Sequence, residues 1–285
     1  IFIKKMGHSQ EKTSHHAPIQ TIKKIILTFL ILIIGYIIAL TVTSCFSSEH
    51  IKQNVQQSSQ ILLDQMSEET EYRLLLYMPY RMEKVQFDNP TDALMVNTAY
   101  SINYKTPFLS AMLARKNYVE NITTQENGDT NGRLISSNQY GVEYHPIKEL
   151  HNIANDNPDE SFEYSRYWHG YLTILRPLLL LFNINTIRVI LVRLICGLLI
   201  YVLKLIYQKL GIGLSIVFFI AFLLTEMFVI GISLQGSPIV IIMLISAIRV
   251  LKNEKISMLN FMIIGSLTNF FDFLTAPIIT LAIPL

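Results

Sequence analysis

Charge is scarce in this 285-residue chain, where Asp, Glu, Lys and Arg together make up 15%. A water-soluble domain carries roughly 25%, so the composition argues against a single soluble globule. The charges nearly cancel, with 23 Lys and Arg against 21 Asp and Glu, which leaves no excess cation for a nucleic-acid partner. Cysteine is almost missing too. Cys45 and Cys196 stand far apart, inside or beside apolar runs, and build neither a disulfide framework nor a zinc site. No glycine-rich phosphate loop, nucleophile elbow or zinc-binding helix occurs, so those chemistries have no sequence foothold.

What is present is apolar: 51% of residues are hydrophobic and the mean hydropathy is +0.38. Residues 1–24 are basic, with Lys4, Lys5, Lys12, Lys23 and Lys24 against Glu11 alone. Residues 25–44 then run without a charge, long enough for a spanning helix. Cations before it and none after orient it with its N-terminus in the cytoplasm. Val42-Thr43-Ser44-Cys45 also reads as a loose lipoprotein cleavage box. The length of the run and the spans downstream favour an uncleaved signal-anchor. The chain starts at Ile1 and stops at Leu285 within an apolar stretch, so we expect a piece of a longer polypeptide.

Residues 45–185 are polar and too long for a loop between packed helices. They hold 17 acids against 11 bases, a net of −6, and the orientation of the first helix puts them outside the cytoplasm. Within them, 171–182 is apolar but interrupted by Arg176-Pro177, the pattern of an interfacial or re-entrant helix. Three spans are expected next, over 186–207, 214–233 and 238–251, and broken or incomplete spans over 258–285. Lys204 and Lys209 flank one turn and Arg249, Lys252 and Lys255 the turn after next, whereas the connection 234–237 carries no charge. That alternation agrees with the orientation of the first helix. The expected fold is an all-α integral membrane protein: a signal-anchor helix, a mainly helical outer domain, then a bundle of short transmembrane helices in the cell membrane.

Ionisable groups within apolar spans are costly, at least ~2.5 kcal/mol at mid-bilayer unless paired or wetted, and mark function by default. Arg188, Arg193, Glu226 and Asp272 are such groups. Counting residues at ~1.5 Å each places Arg193, Glu226 and Asp272 in one outer layer. They either line a polar cavity or lock helices together as Arg193–Glu226 or Arg193–Asp272 pairs, while Arg188 lies near enough to the interface to snorkel. Asp88 and Asp92 are four residues apart, suited to acid–base work or to a divalent cation. The competing reading is helix capping, with Asn89 as N-cap, Pro90 at the first position and Asp92 in the first turn. The stretch 164–171 holds the only Trp, Trp168, among tyrosines. Aromatics there belong to an interface belt, or else they stack on a sugar ring. Arg166, His169 and Arg176 bring cationic donors for a lipid phosphate to the same level. Glu49, just past the first helix, is a candidate general base or a solvated helix end.

The blocks Asp88-Asn89-Pro90-Thr91-Asp92-Ala93-Leu94-Met95, Arg166-Tyr167-Trp168-His169-Gly170-Tyr171, Leu175-Arg176-Pro177-Leu178 and Phe270-Phe271-Asp272-Phe273-Leu274-Thr275 resemble a family of multi-spanning membrane proteins of Gram-positive bacteria that carries no characterised chemistry. The layout is more loosely similar to GT-C membrane glycosyltransferases. That resemblance implies sugar transfer from a polyprenyl-phosphate donor, in assembly of envelope polysaccharide or glycolipid, with an outer-loop carboxylate as base. Glu49 alone stands where their acidic signature would follow the first helix. Two readings follow. In one, Asp88, Asp92 or Glu49 activates the acceptor while Arg166, His169 or Arg193 holds the phosphate beside Trp168. In the other, a non-catalytic transporter or flippase-like component lines its path with Arg193, Glu226 and Asp272. Membrane lipid is the expected partner in both.

Overall fold

The computed structural model describes residues 16–67, 89–114, 116–118, 146–155, 160–163, 165, 167–252, 257–271 and 280. Asp88, Arg166 and Asp272 lie outside them. Among the described residues there are eleven α-helices. They are α1 His16–Ser44, α2 Lys52–Ser67, α3 Asn89–Tyr100, α4 Pro107–Leu113, α5 Pro146–Asn155, α6 Leu172–Leu179, α7 Ile184–Leu210, α8 Ile212–Leu224, α9 Met227–Ile232, α10 Ser237–Lys252 and α11 Met258–Phe271. Two three-residue strands, β1 Lys116–Tyr118 and β2 Glu160–Phe162, pair antiparallel with Asn117 opposite Ser161. This ribbon is the only departure from the expected all-α architecture among the described residues.

Two helices are long and apolar enough to cross a bilayer: Gln20–Ser44 within α1, and α7. Only 11% of the most apolar window of α1 is buried within the molecule, and 28% of that of α7. Ile26, Leu30, Ile34 and Ile38 of α1 are all more than half exposed. A core helix of a soluble protein would bury these side chains; an apolar face this exposed suits a membrane span or a signal-anchor. Helices α8 and α11 are shorter apolar helices.

The expected span 214–233 is two helices. It breaks at Thr225-Glu226, where Glu226 adopts φ +55° and separates α8 from α9. Helix α7 starts and ends beyond the expected 186–207 because Asn183 caps it, its Oδ1 accepting from Thr186 N at 3.1 Å, and Gly211 ends it with φ +91°. The interfacial segment 171–182 is helical over α6, and Asn183 follows it directly into α7.

Helices α2 to α6 form one body docked on one end of the long helices. Its buried side chains, among them Ile51, Val55, Leu62, Ala93, Val96 and Leu150, belong to one core with Leu172, Leu175, Ile187 and Leu191. Polar ties reinforce the join: Asn54 Nδ2 donates to Leu179 O at 2.8 Å, and Ile184 N donates to Ser58 Oγ at 2.9 Å. A second core of Ile195, Leu199, Val202, Phe222, Met243 and Leu244 fills the other half of the bundle. Near that far end Arg249 Nη2 donates to Asn260 Oδ1 at 2.9 Å, and the Lys252 ammonium sits 5.1 Å from the centre of the Tyr201 ring.

Candidate functional site

Asp92 sits in the first turn of α3, on the face that turns inward, and is fully buried. Its Oδ2 accepts from Arg188 Nη2 at 2.6 Å and from Arg188 Nε at 3.1 Å. Its Oδ1 accepts the backbone N–H of Leu234 at 2.9 Å. Asn89, one turn earlier, accepts from Arg188 Nη2 at 2.7 Å, and Gln65 Oε1 of α2 accepts from Arg188 Nη1 at 3.3 Å and from Asn89 Nδ2 at 3.2 Å. The Arg188–Asp92 pair therefore gathers α2, α3, α7 and the turn between α9 and α10. A fork-shaped donor suits this task because it offers fixed N–H bonds in one plane. Asp92 is thus a clasp for Arg188, and Arg188 lies inward instead of snorkelling. Among the described residues no group of three or more His, Cys, Asp and Glu is placed to hold a metal ion.

Arg176 of α6 is also fully buried. Its Nε donates to Thr43 O at 3.0 Å, and Nη1 and Nη2 donate to Ala99 O and Phe46 O. Those carbonyls lie at the C-terminal ends of α1 and α3 and in the turn that follows α1. The negative ends of two helix dipoles favour a cation there. Burial lowers this guanidinium from its ordinary value to about 10, which still leaves it charged at neutral pH. Its contacts are to carbonyls at the core of the join, so it fixes the framework instead of facing a substrate phosphate.

Glu49 is exposed, in a 3-10 turn just past α1. Ser48 of that turn donates through Oγ to Ile102 O at 2.9 Å, which brings it against the end of α3. Burial, and then the charge of Glu49, raise the Tyr100 phenol above its usual range. The charge of Glu49 thus reaches the Tyr100 phenol on the docked body.

His169 is buried with φ +53°, and its Nδ1 lies 3.2 Å from Tyr171 Oη. A non-glycine residue in that region is uncommon and requires support from its surroundings. The support is Gly170, whose N–H donates to Phe270 O at 3.1 Å; a Cβ there would meet that oxygen at 2.3 Å. Trp168 packs edge-on to Tyr36 of α1 with centroids 6.1 Å apart, and Tyr36 stacks on Phe270 at 4.0 Å. The stretch 167–171 therefore lies against the ends of α1 and α11.

Two cavities adjoin this stretch. One, of about 280 Å³, is lined by Ser165, Tyr167 and Trp168 with Ala111 and Met112 of α4. The other, of about 260 Å³, is almost wholly apolar and lies between α6, α7, α10 and α11. Tyr171, Ile174, Leu175 and Leu178 form its wall on the α6 side. The segment Ser165–Leu178 thus faces an aromatic, hydroxyl-bearing space with one end and a hydrocarbon-like space with the other.

The intramembrane candidates separate. Arg193 is exposed on α7, and Glu226 is half-buried at the α8–α9 break. No ion pair joins them, and among the described residues the salt bridge is Arg188–Asp92. Sequence reasoning placed Arg188 at the interface but missed its partner. Nothing local marks that pair, whose members are 96 positions apart.

No known family, curated protein or solved structure matches this chain.

Proposed function

We propose that this is a multi-pass membrane protein that transfers a sugar from a polyprenyl-phosphate carrier at the outer face of the cell membrane. One observation carries the reading. The segment Ser165–Leu178 lines both an aromatic, hydroxyl-bearing cavity and an apolar one. A lipid-linked sugar has the same two halves, a ring that stacks on aromatic faces and a chain that wants hydrocarbon.

The arrangement of helix ends supports the orientation. Helices α2–α6 meet the C-terminal ends of α1 and α11, the N-terminal end of α7 and the turn 233–237. Lys204, Lys209, Arg249 and Lys252 belong to the opposite ends, as the positive-inside rule requires if the docked body is outside. Of the three outer acids singled out in the sequence, Glu49 suits the base. It is exposed, whereas Asp92 is committed to Arg188, and Asp88 lies outside the described residues. The layout resemblance to GT-C enzymes points the same way.

The test is the lipid-linked sugar profile of cells lacking the protein, complemented with wild-type, Trp168→Ala and Glu49→Gln forms. Accumulation of one polyprenyl-phosphate sugar, relieved by wild-type but not by E49Q, is expected. An unchanged profile in the deletion strain would remove the transferase reading.

A second reading has one observation of its own: the helix broken at Glu226, with a half-buried carboxylate in an apolar bundle. Discontinuous helices build transporter sites. On that reading Glu226→Gln alters transport of an envelope precursor or its pH dependence, and sugar transfer is unaffected.

A further inference from the structure

The Asp92–Arg188 clasp lies behind one wall of the apolar cavity. Met95, one turn after Asp92, lines it; so do Ile187 and Leu191, which flank Arg188, and Leu234, whose N–H is held by Asp92. Ile174 and Ile245 also line it and are 45% and 51% exposed, so its open side faces away from the helix bundle, between α6 and α10. The wall held by Asp92 and the open side are different places.

The turn after α9 builds itself without Asp92. Ser233 Oγ accepts from Gly236 N at 3.0 Å, and Ser233 O accepts from Ser237 N at 3.0 Å. Gly236 sits so close to the preceding helix that a Cβ would meet Ile230 O at 2.2 Å. Since the turn keeps its own shape, the bond from Leu234 to Asp92 docks it instead of folding it. A buried ion pair is a poor source of net stability compared with apolar packing, and its best-attested use is to specify one arrangement over another. Here the pair specifies that the turn 233–237 lies closed against α3.

We propose that Asp92 and Arg188 are a latch on the outer end of this cavity: closed, they seal it from the outer aqueous side, and their release swings the turn 233–237 away and admits polar solutes or a headgroup. The proposal rests on the reading of an outward-facing body with a lipid-binding cavity, and concerns control of access to that cavity.

The experiment uses the full chain in its membrane, with Cys45 and Cys196 replaced by Ser, and Ser237→Cys as the reporter. Ser237 is buried and lines the cavity. Tyr104→Cys, at an exposed position of the outer body, is the control. A membrane-impermeant thiol reagent is applied to intact cells. Labelling at Tyr104→Cys establishes that the body faces outward, and its absence would overturn the latch as proposed together with the orientation on which it rests. With that established, Ser237→Cys is expected to label slowly in the parent. It should label at least about tenfold faster with Asp92→Asn or Arg188→Gln, since each removes a charge-assisted bond. Asn89→Ala, which removes one of the bonds to Arg188 and keeps the ion pair, gives an intermediate rate and reports even where the stronger variants fail to accumulate. Equal labelling rates in the parent and in whichever of these variants reach the membrane would overturn the latch. Because no sugar substrate enters the assay, this outcome is independent of the lipid-linked sugar profile.

Discussion

At the scale of single residues, the two buried arginines do different work. Arg188 meets a carboxylate, and Arg176 meets carbonyls. Removing a partner from a buried charged group costs more than the bond itself is worth, because the other group is left dry and unpaired. Arg176→Gln should therefore lower stability by on the order of 3 kcal/mol, read as a drop in the thermal midpoint in detergent. Arg176→Lys keeps the charge but not the fork and should fall between. A midpoint unchanged in both would mean that the carbonyl cradle does not hold. Tyr100 gives a second expectation. Its phenol is raised by burial and then by Glu49, so it favours the neutral form in the folded chain. That contribution to stability is present below the ordinary tyrosine value near 10 and disappears as pH climbs through the raised value. Glu49→Gln should move the Tyr100 titration downward but leave it above the ordinary value, since burial remains. Ultraviolet difference titration against Tyr100→Phe in each background measures this; no movement would separate the two groups.

Legibility in the sequence also divides at this scale. The aromatic stretch around Trp168 and the exposed Glu49 were readable because interface aromatics and helix-end acids have local signatures. The Asp92–Arg188 clasp was not. Its partners are 96 positions apart, and depth counting along the spans compared intramembrane charges only with one another. A carboxylate that reaches down from the outer body has no marker in periodicity. Asn89 likewise reads as an N-cap from its place before Pro90, whereas its side chain serves Arg188 and Gln65.

At the scale of elements, long apolar runs were legible and breaks within them were not. Helix α1 follows from a run without charge over 25–44 and α7 from an apolar run that carries Arg188, Arg193 and Lys204, and α7 lies close to its expected bounds. The break between α8 and α9 has no Pro or Gly to announce it, only Thr225 and Glu226 in an apolar run. The start of α7 rests on a conventional cap, so Asn183→Ala should cost about 1 kcal/mol. The same substitution removes the bond from Asn183 Nδ2 to Gln57, which is exposed and 3.3 Å long, and adds little. Thermal unfolding in detergent measures the sum. A loss much larger than this would mean that Asn183 anchors α2 as well as α7.

At the scale of the whole molecule, the sequence places Lys204, Lys209, Arg249 and Lys252 at the C-terminal ends of α7 and α10, and the structure gathers a body at the opposite ends. These are independent lines, since helix packing does not read loop charge. Tags inserted after Tyr104 and after Lys209 should lie on opposite sides of the membrane, the first reached in intact cells and the second only after permeabilisation. Both on one side would dissolve the bundle as a set of spans and leave α1 as a lone anchor.

The carbonyl cradle of Arg176 bears on the order in which the chain is made. Thr43, Phe46 and Ala99 leave the ribosome long before residue 176, and their oxygens have no cation until that residue arrives. Arg188, which ties the same body to α7, comes later still. A nascent chain therefore carries an unfinished body until residue 188 is made, with water hydrating those oxygens in place of the guanidinium. Arrival of α6 then supplies a cation that the C-terminal ends of α1 and α3 share.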